Sequence, residues 1–242
     1  MSEDKQNPYL MPGAVVVAGL FIAMALFMSG DGLLNGGTGD TADTGAAAEA
    51  ATPADIAKAI GLNTKDFSKC LEEGRYAATV EADNQNAIAI GGAGTPFSVL
   101  INSEGTKYPV YGAYPLEQLK GFIDGALAND QAQLASLEEQ SGLSISDEMR
   151  AVNADDHIRG DLNAKVKLVV YTDMQCPFCA QFHATALQAL DAYSGQMALV
   201  YRHFPLDALH PTTRMLSEGS ECAAELGGGE AFWAFFDKAF AE

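Results

Sequence analysis

Apolar residues fall along this chain in three regimes: one long block, one stretch dominated by small residues, and then short periodic runs. The block is Tyr9–Met28, YLMPGAVVVAGLFIAMALFM, and no charged residue occurs from Gln6 through Gly30. As a helix it would be roughly 30 Å long, about the thickness of the hydrocarbon core of a bilayer. This predicts an N-terminal membrane anchor over residues 1–29. A cleaved signal peptide is the competing reading, with Lys5 as its basic head and Ala23-Met24-Ala25 as its cleavage site. That tripeptide lies inside the apolar run instead of after it, which favours a retained anchor. Lys5 is the only basic residue near the block and the next is Lys58. The positive-inside rule therefore predicts a cytoplasmic N-terminus, with everything after Ser29 outside the cytoplasm. Residues 30–52, rich in Gly, Ala, Thr and Asp, cannot bury a core and read as a flexible linker.

The periodic runs begin at residue 53. Ile56, Ile60, Leu62, Phe67 and Leu71 give helical spacing, and a polar helix is expected over Tyr76–Ile90. Phe97–Ile101 and Tyr108–Tyr111 read as two strands around an Asn102–Gly105 turn, with Pro109 marking the second as an edge or bulged strand. Pro115 opens a helix whose Leu116, Leu119, Ile123 and Leu127 share one face. Residues 53–129 form a first folded half. Residues 130–156 are polar and mixed, with a short helix at Leu134–Glu139, and read as a connector. A second half covers 157–242. In it, Lys165–Thr172 is the solidly apolar run of a buried strand, Cys176–Tyr193 is helical, and Met197–Phe204 is another strand. Helices follow, starting at Pro211 and broken at Gly227–Gly229, with Phe232, Trp233, Phe235 and Phe236 as core. Neither half is a convincing domain alone. Together they predict four strands with helices on the faces, an α/β sandwich with a parallel crossover in the second half.

Charge removes one class of function. With 32 acidic and 14 basic residues, the net charge of −18 repels phosphate backbones and argues against nucleic-acid binding. The four cysteines, Cys70, Cys176, Cys179 and Cys222, are an even number, compatible with two disulfides in an oxidising compartment, though spacing does not assign the pairing.

The most specific chemistry is Cys176-Pro177-Phe178-Cys179, just after a strand and at the start of a helix. The unpaired N–H groups and the dipole of the first helical turn stabilise a thiolate, so Cys176 is expected to titrate low and to stand exposed as the attacking sulfur. Cys179, a turn inward, is expected to resolve the mixed disulfide. Pro177 suits an early helical position, and Phe178 offers an apolar neighbour for substrate. A C-x-x-C can also be half of a zinc site, but no second knuckle spacing appears among the other cysteines and the four histidines, and no metal is expected. A purely structural disulfide gains little by closing so short a loop. Asp173 admits two readings, a proton relay or a solvated loop carboxylate. His183 likewise either stabilises the thiolate or packs as an ordinary histidine; His203 and His210 read as structural.

The runs DMQCPFCAQFH, VYRHFPLDALHP and ECAAELGGGEAFWAFFDKAF resemble the first half of DsbA-like proteins of the thioredoxin superfamily. The runs IGLNTKDFSKCLEEGRYAATVEAD, GGAGTPFSVLINSEG and VYGAYPLEQLKGFID resemble their second half. The resemblance implies a thioredoxin-like fold with a helical insertion subdomain and a redox pair at Cys176 and Cys179. It also implies a cis bond at Thr95-Pro96, facing that pair and holding substrate backbone. It places Cys70 and Cys222 in one helical subdomain and so implies a structural disulfide between them; two buried free cysteines are the alternative. The halves stand in the reverse of the family order, which implies a circular permutation, with residues 130–156 joining the family's usual ends; a swapped dimer is the competing arrangement. The implied activity is a protein dithiol oxidase that needs no cofactor. It would act on cysteine-containing exported proteins, be reset by a membrane redox partner, and be held at the membrane by its N-terminal helix. A non-catalytic binding or chaperone-like module and a metal-binding module are the alternatives from other classes.

Overall fold

The computed structural model describes residues 51–241. The expected anchor and all but the end of the expected linker lie outside the described residues. Among the described residues, no helix is long and apolar enough to cross a membrane.

The first half opens with three helices. α1 (Pro53–Ala59) starts on a capping box, in which the Thr52 hydroxyl accepts from the Asp55 N–H and the Asp55 carboxylate accepts from the Thr52 N–H. α2 (Thr64–Glu72) is capped by Asn63 and α3 spans Ala77–Ala89. The hairpin follows as β1 (Phe97–Ile101) and β2 (Lys107–Tyr111), paired antiparallel. Asn102 Oδ1 braces its turn by accepting from the N–H groups of Glu104 and Thr106. α4 (Leu116–Ala128) ends on Asn129, whose φ of 52° is the left-handed conformation asparagine tolerates.

Two departures from the sequence reading follow. α5 covers Gln131–Ser141, longer than the short helix expected in the connector, because Asp130 caps it through the N–H groups of Ala132 and Gln133. Its Leu134 and Leu137 are buried, so the connector adds to the core. The sheet also has five strands, not four. The extra one is β3 (His157–Arg159), three half-buried residues, too short to show any period.

β4 (Val166–Thr172), α6 (Pro177–Ala192) and β5 (Met197–His203) form the crossover, with β4 and β5 paired in parallel. The sheet order is β2-β1-β4-β5-β3, and the halves join where β1 runs antiparallel to β4, Phe97 opposite Tyr171. β2 is an edge strand, where Pro109 withholds no needed ladder hydrogen bond. The solid apolar run of β4 serves both faces of the sheet. Leu168 and Val170 pack with Phe182, Phe235 and Phe236 on one side, while Val169 and Tyr171 pack with Phe97, Val200 and Phe204 on the other. α7 (Thr213–Ala239) is two helices merged across a kink at Gly228, whose φ of 71° only glycine adopts without strain.

Charge is buried as well. Arg202, 1% exposed, donates to both oxygens of Asp156 and to the Tyr171 hydroxyl and the Arg150 carbonyl, fastening the connector to the sheet. Cys70 of α2 and Cys222 of α7 form a disulfide, 152 residues apart in sequence.

Candidate active site

Cys176 is the N-cap of α6, with extended backbone, and Pro177 is its first helical residue. A proline there sacrifices no hydrogen bond, because the first N–H groups of a helix have no intrahelical partner. The Thr95–Pro96 peptide is cis, and the Cys176 thiol lies 3.6 Å from the Thr95 carbonyl oxygen, 81 residues away in sequence. The segment leading to this peptide packs tightly at Gly92, where a Cβ would stand 2.8 Å from the Ala87 carbonyl oxygen and the Phe97 ring.

Both cysteines are free thiols. Cys176 is lowered to about 5, chiefly because the Cys179 thiol hydrogen-bonds to its sulfur; burial opposes this, and the Thr95 side chain and the N–H groups of Cys179 and Phe178 assist. Cys179 moves the other way, pushed far up by burial and by its bond to Cys176. The pair is therefore split into a thiolate and a retained thiol.

Cys176 is 6% exposed, less open than the sequence reading expected. It sits in the wall of a groove of about 370 Å³ formed with Met174, Pro177, Leu216 and Phe240, and Ala51 lines the same groove. Phe178 is the residue that stands out, 62% exposed beside the pair. Asp173 is fully buried, not solvated, and its carboxylate accepts from four donors: the N–H groups of Gln175 and Leu206, the Thr213 hydroxyl and His210 Nδ1. With both oxygens engaged, it ties the turn before Cys176 to the start of α7.

Of a second set of groups, pattern reasoning singled out His183 and His203 but not their partners. His183, one turn beyond Cys179 on α6, is buried with Nδ1 2.6 Å from the Tyr201 hydroxyl and Nε2 2.9 Å from Asp237 Oδ1. Arg159 pairs with the other Asp237 oxygen. On the part of α7 before the Gly228 kink, Glu221 Oε1 meets His157 and His203 at 2.9 and 2.8 Å, and the His157 ring stacks on Phe232 at 3.4 Å. The Cys179-to-His183 spacing was visible in the sequence, but nothing in it pointed to Tyr201, Asp237 or Glu221. Among the described residues, no three of His, Cys, Asp and Glu converge on a point that could hold a metal ion.

This geometry agrees with two family matches that divide the folded region between them. Residues 41–124 match the DSBA-like thioredoxin domain and residues 152–242 match a thioredoxin family. The chain is thus similar, half by half, to DsbA-like proteins of the thioredoxin superfamily. Its similarity to the Na(+)/H(+) antiporter NhaA 3 of Salinispora tropica is 40% identity over 94 residues, 38% of this chain and 14% of that protein. The NhaA 1 antiporter of Mycolicibacterium vanbaalenii is 34% identical over 103 residues, 42% of this chain and 16% of that protein. The chain thus spans a small part of these curated relatives. The crystal structure of Pseudomonas aeruginosa DsbA2 is 32% identical over 38% of this DsbA-like chain and 50% of its own, with a TM-score of 0.35.

Proposed function

We propose that this DsbA-like chain is a protein dithiol oxidase, in which the Cys176–Cys179 disulfide is passed to cysteine pairs of exported proteins. The observation that carries this reading is the split between the two thiols, Cys176 held low and Cys179 high. A stabilised Cys176 thiolate stabilises the reduced form, and a disulfide whose reduced form is stable is a strong oxidant. A substrate thiolate attacks Cys176, the sulfur that lines the groove, and a mixed disulfide forms. The second substrate thiolate then releases Cys176. An extended substrate segment pairs with the backbone of Thr95, and the exposed Phe178 ring and the groove take its side chains.

The same reading includes the setting. The apolar block at Tyr9–Met28 anchors the chain, the domain works outside the cytoplasm, and a membrane redox partner reoxidises it. The order of the halves is a circular permutation of the family order. Its support is that the hairpin half comes first in sequence yet lies beside β4, and that Ala51 and Phe240 line one groove.

The experiment is stoichiometric oxidation of a reduced two-cysteine peptide by the oxidised full-length chain, with Cys176→Ser as control, together with the equilibrium of the pair against glutathione. Peptide oxidation lost in Cys176→Ser, with a pair more oxidising than glutathione, is the expected result. A pair more reducing than glutathione makes the chain a reductase, and no exchange at all leaves only a binding module.

A further inference from the structure

β4 leads to Cys176 at one end, and at the other it starts in a different chemical setting. Its seven residues span about 20 Å at the rise of a strand, so that start is remote from the thiols. A pocket of about 400 Å³ lies there, walled by Ile101, Asn102 and Ser103 at the end of β1 and by Lys165 and Lys167 at the start of β4. Asn102 is 4% exposed. Its Oδ1 accepts from the N–H groups of Glu104 and Thr106, which fixes the amide, because the flipped amide would set its NH2 against two donors. Nδ2 therefore faces away from the turn, buried, and has no acceptor among the described residues. An amide N–H removed from water without an acceptor is costly, and the pocket that Asn102 lines is where an acceptor can sit.

The two lysines lack a partner of the same kind. Elsewhere on this acidic chain ammonium groups find carboxylates: Lys69 pairs with Glu73, Lys107 with Asp147 and Lys120 with Glu117. Among the described residues, neither Lys165 nor Lys167 has a carboxylate within ion-pairing distance; Lys167 Nζ donates to the Ala164 carbonyl at 3.2 Å, and Lys165 is exposed. Glu104 and Asp161, the acidic residues nearest in sequence, are exposed and do not line the pocket. The chain has 32 acidic residues against 14 basic ones. Two ammonium groups without counter-charges, beside an amide donor without an acceptor, reverse that charge locally.

We propose that the pocket between Asn102, Lys165 and Lys167 binds the phosphate group of a phosphate monoester. Unmet donors call for an anion, and two ammonium charges select a dianion. A phosphate monoester carries about −1.5 to −2 charges at pH 7, whereas a carboxylate carries one. The volume of the pocket leaves room for the organic part of the ester, with Ile101 as an apolar wall. The net charge of −18 does not forbid such binding. Repulsion from exposed carboxylates more than about 8–10 Å away is largely screened by salt, while contact with the ammonium groups is not. A soluble ester and a phosphatidic acid headgroup present the same chemical group. The site is independent of the thiol chemistry and of the reading given to it.

The test is lysine footprinting of the full-length chain in phosphatidylcholine vesicles, with acylation of each lysine read by peptide mass spectrometry. In one arm glycerol 3-phosphate is added in solution; in the other, phosphatidic acid replaces part of the lipid. Lys165 and Lys167 are expected to be protected while Lys58 and Lys120 label as before. Protection in the first arm makes the ligand a soluble ester, and protection confined to the second makes it a lipid headgroup; both uphold the phosphate site. Asn102→Asp keeps an oxygen for the Glu104 and Thr106 N–H groups but puts a negative charge in place of the donor. It is expected to raise the phosphate ester needed for protection at least about tenfold, the scale of a charge-assisted hydrogen bond. If Asn102→Asp does not fold, Lys167→Gln must still weaken the protection of Lys165. No protection in either arm, equal protection of all four lysines, or wild-type protection in a folded variant overturns the site.

Discussion

The thiol of Cys176 lies 3.6 Å from the carbonyl oxygen of Thr95, bringing together two segments that the chain makes 81 residues apart. One segment ends β4 and starts α6; the other opens β1. The site is therefore as well placed as the β1–β4 pairing that holds these segments together.

The first expectation concerns the reduced pair. Iodoacetamide at pH 6 should modify Cys176 and leave Cys179 untouched, read by peptide mass spectrometry. The folded Cys176 sits near 5, against about 8.5 for a free thiol, so its contribution to stability is complete above the free value. It is lost as the pH falls through the folded value. The reduced chain should therefore gain stability relative to Cys176→Ser as pH rises between these limits. Labelling of Cys179 first would reverse the assigned roles.

Asp173 holds the turn that presents Cys176. Asp173→Ala leaves four donors without their acceptor, two of them backbone N–H groups. A loss of at least about 3 kcal/mol in denaturant melts is expected, since each unsatisfied buried group costs about 1–3 kcal/mol. The Cys176 titration should also rise as the N-cap turn loosens. An unchanged titration in a folded variant would limit Asp173 to stability alone.

The Glu221 cluster sets a pH window. Burial works against its charge, but hydrogen bonds from His157 and His203 hold Glu221 well below the usual carboxylate range. Burial also works against a charged His203, yet its bond to Glu221 raises it overall. The Glu221 contribution is present above its unfolded value of about 4.3 and lost as pH falls through the folded value. The His203 contribution is present below about 6.5 and lost as pH rises through its raised folded value. Glu221→Ala should cost about 3–5 kcal/mol, the scale of a broken buried ion pair. The loss should be largest between those two limits, and thermal melts across pH would show it; a loss independent of pH would assign the cost to packing.

Removing the bridge between α2 and α7 should cost about 4–5 kcal/mol by the chain-entropy relation, given its separation of 152 residues. Cys70→Ala with Cys222→Ala, compared with wild type in urea, measures it. Non-reducing peptide mapping checks the pairing itself, and free thiols at Cys70 and Cys222 would remove its premise.

Much of this was legible in the chain. Long-period signals survive in sequence: the face of α4, the hairpin around Asn102–Gly105, and Cys176 at a strand-to-helix junction. What escaped falls into two physical classes. β3 has three residues, fewer than two periods of any strand. The buried polar groups are the other class. Arg202 sits among the strand residues of β5 and is stabilised by Asp156, 46 residues away, so no local pattern announces it. Asp173 looks like a loop carboxylate until Leu206, His210 and Thr213 fold over it. Partners distant in sequence turn such residues from surface chemistry into core.

The strand order also has a consequence for biosynthesis. The β1–β2 hairpin is translated before any strand that can cover the far side of β1, because its neighbour there is β4, Val166–Thr172. Until β4 emerges, the nascent chain carries an apolar strand with a row of unpaired N–H and C=O groups, open to pairing with other chains. Safe maturation therefore depends on shielding the early half from its neighbours until the late half is made.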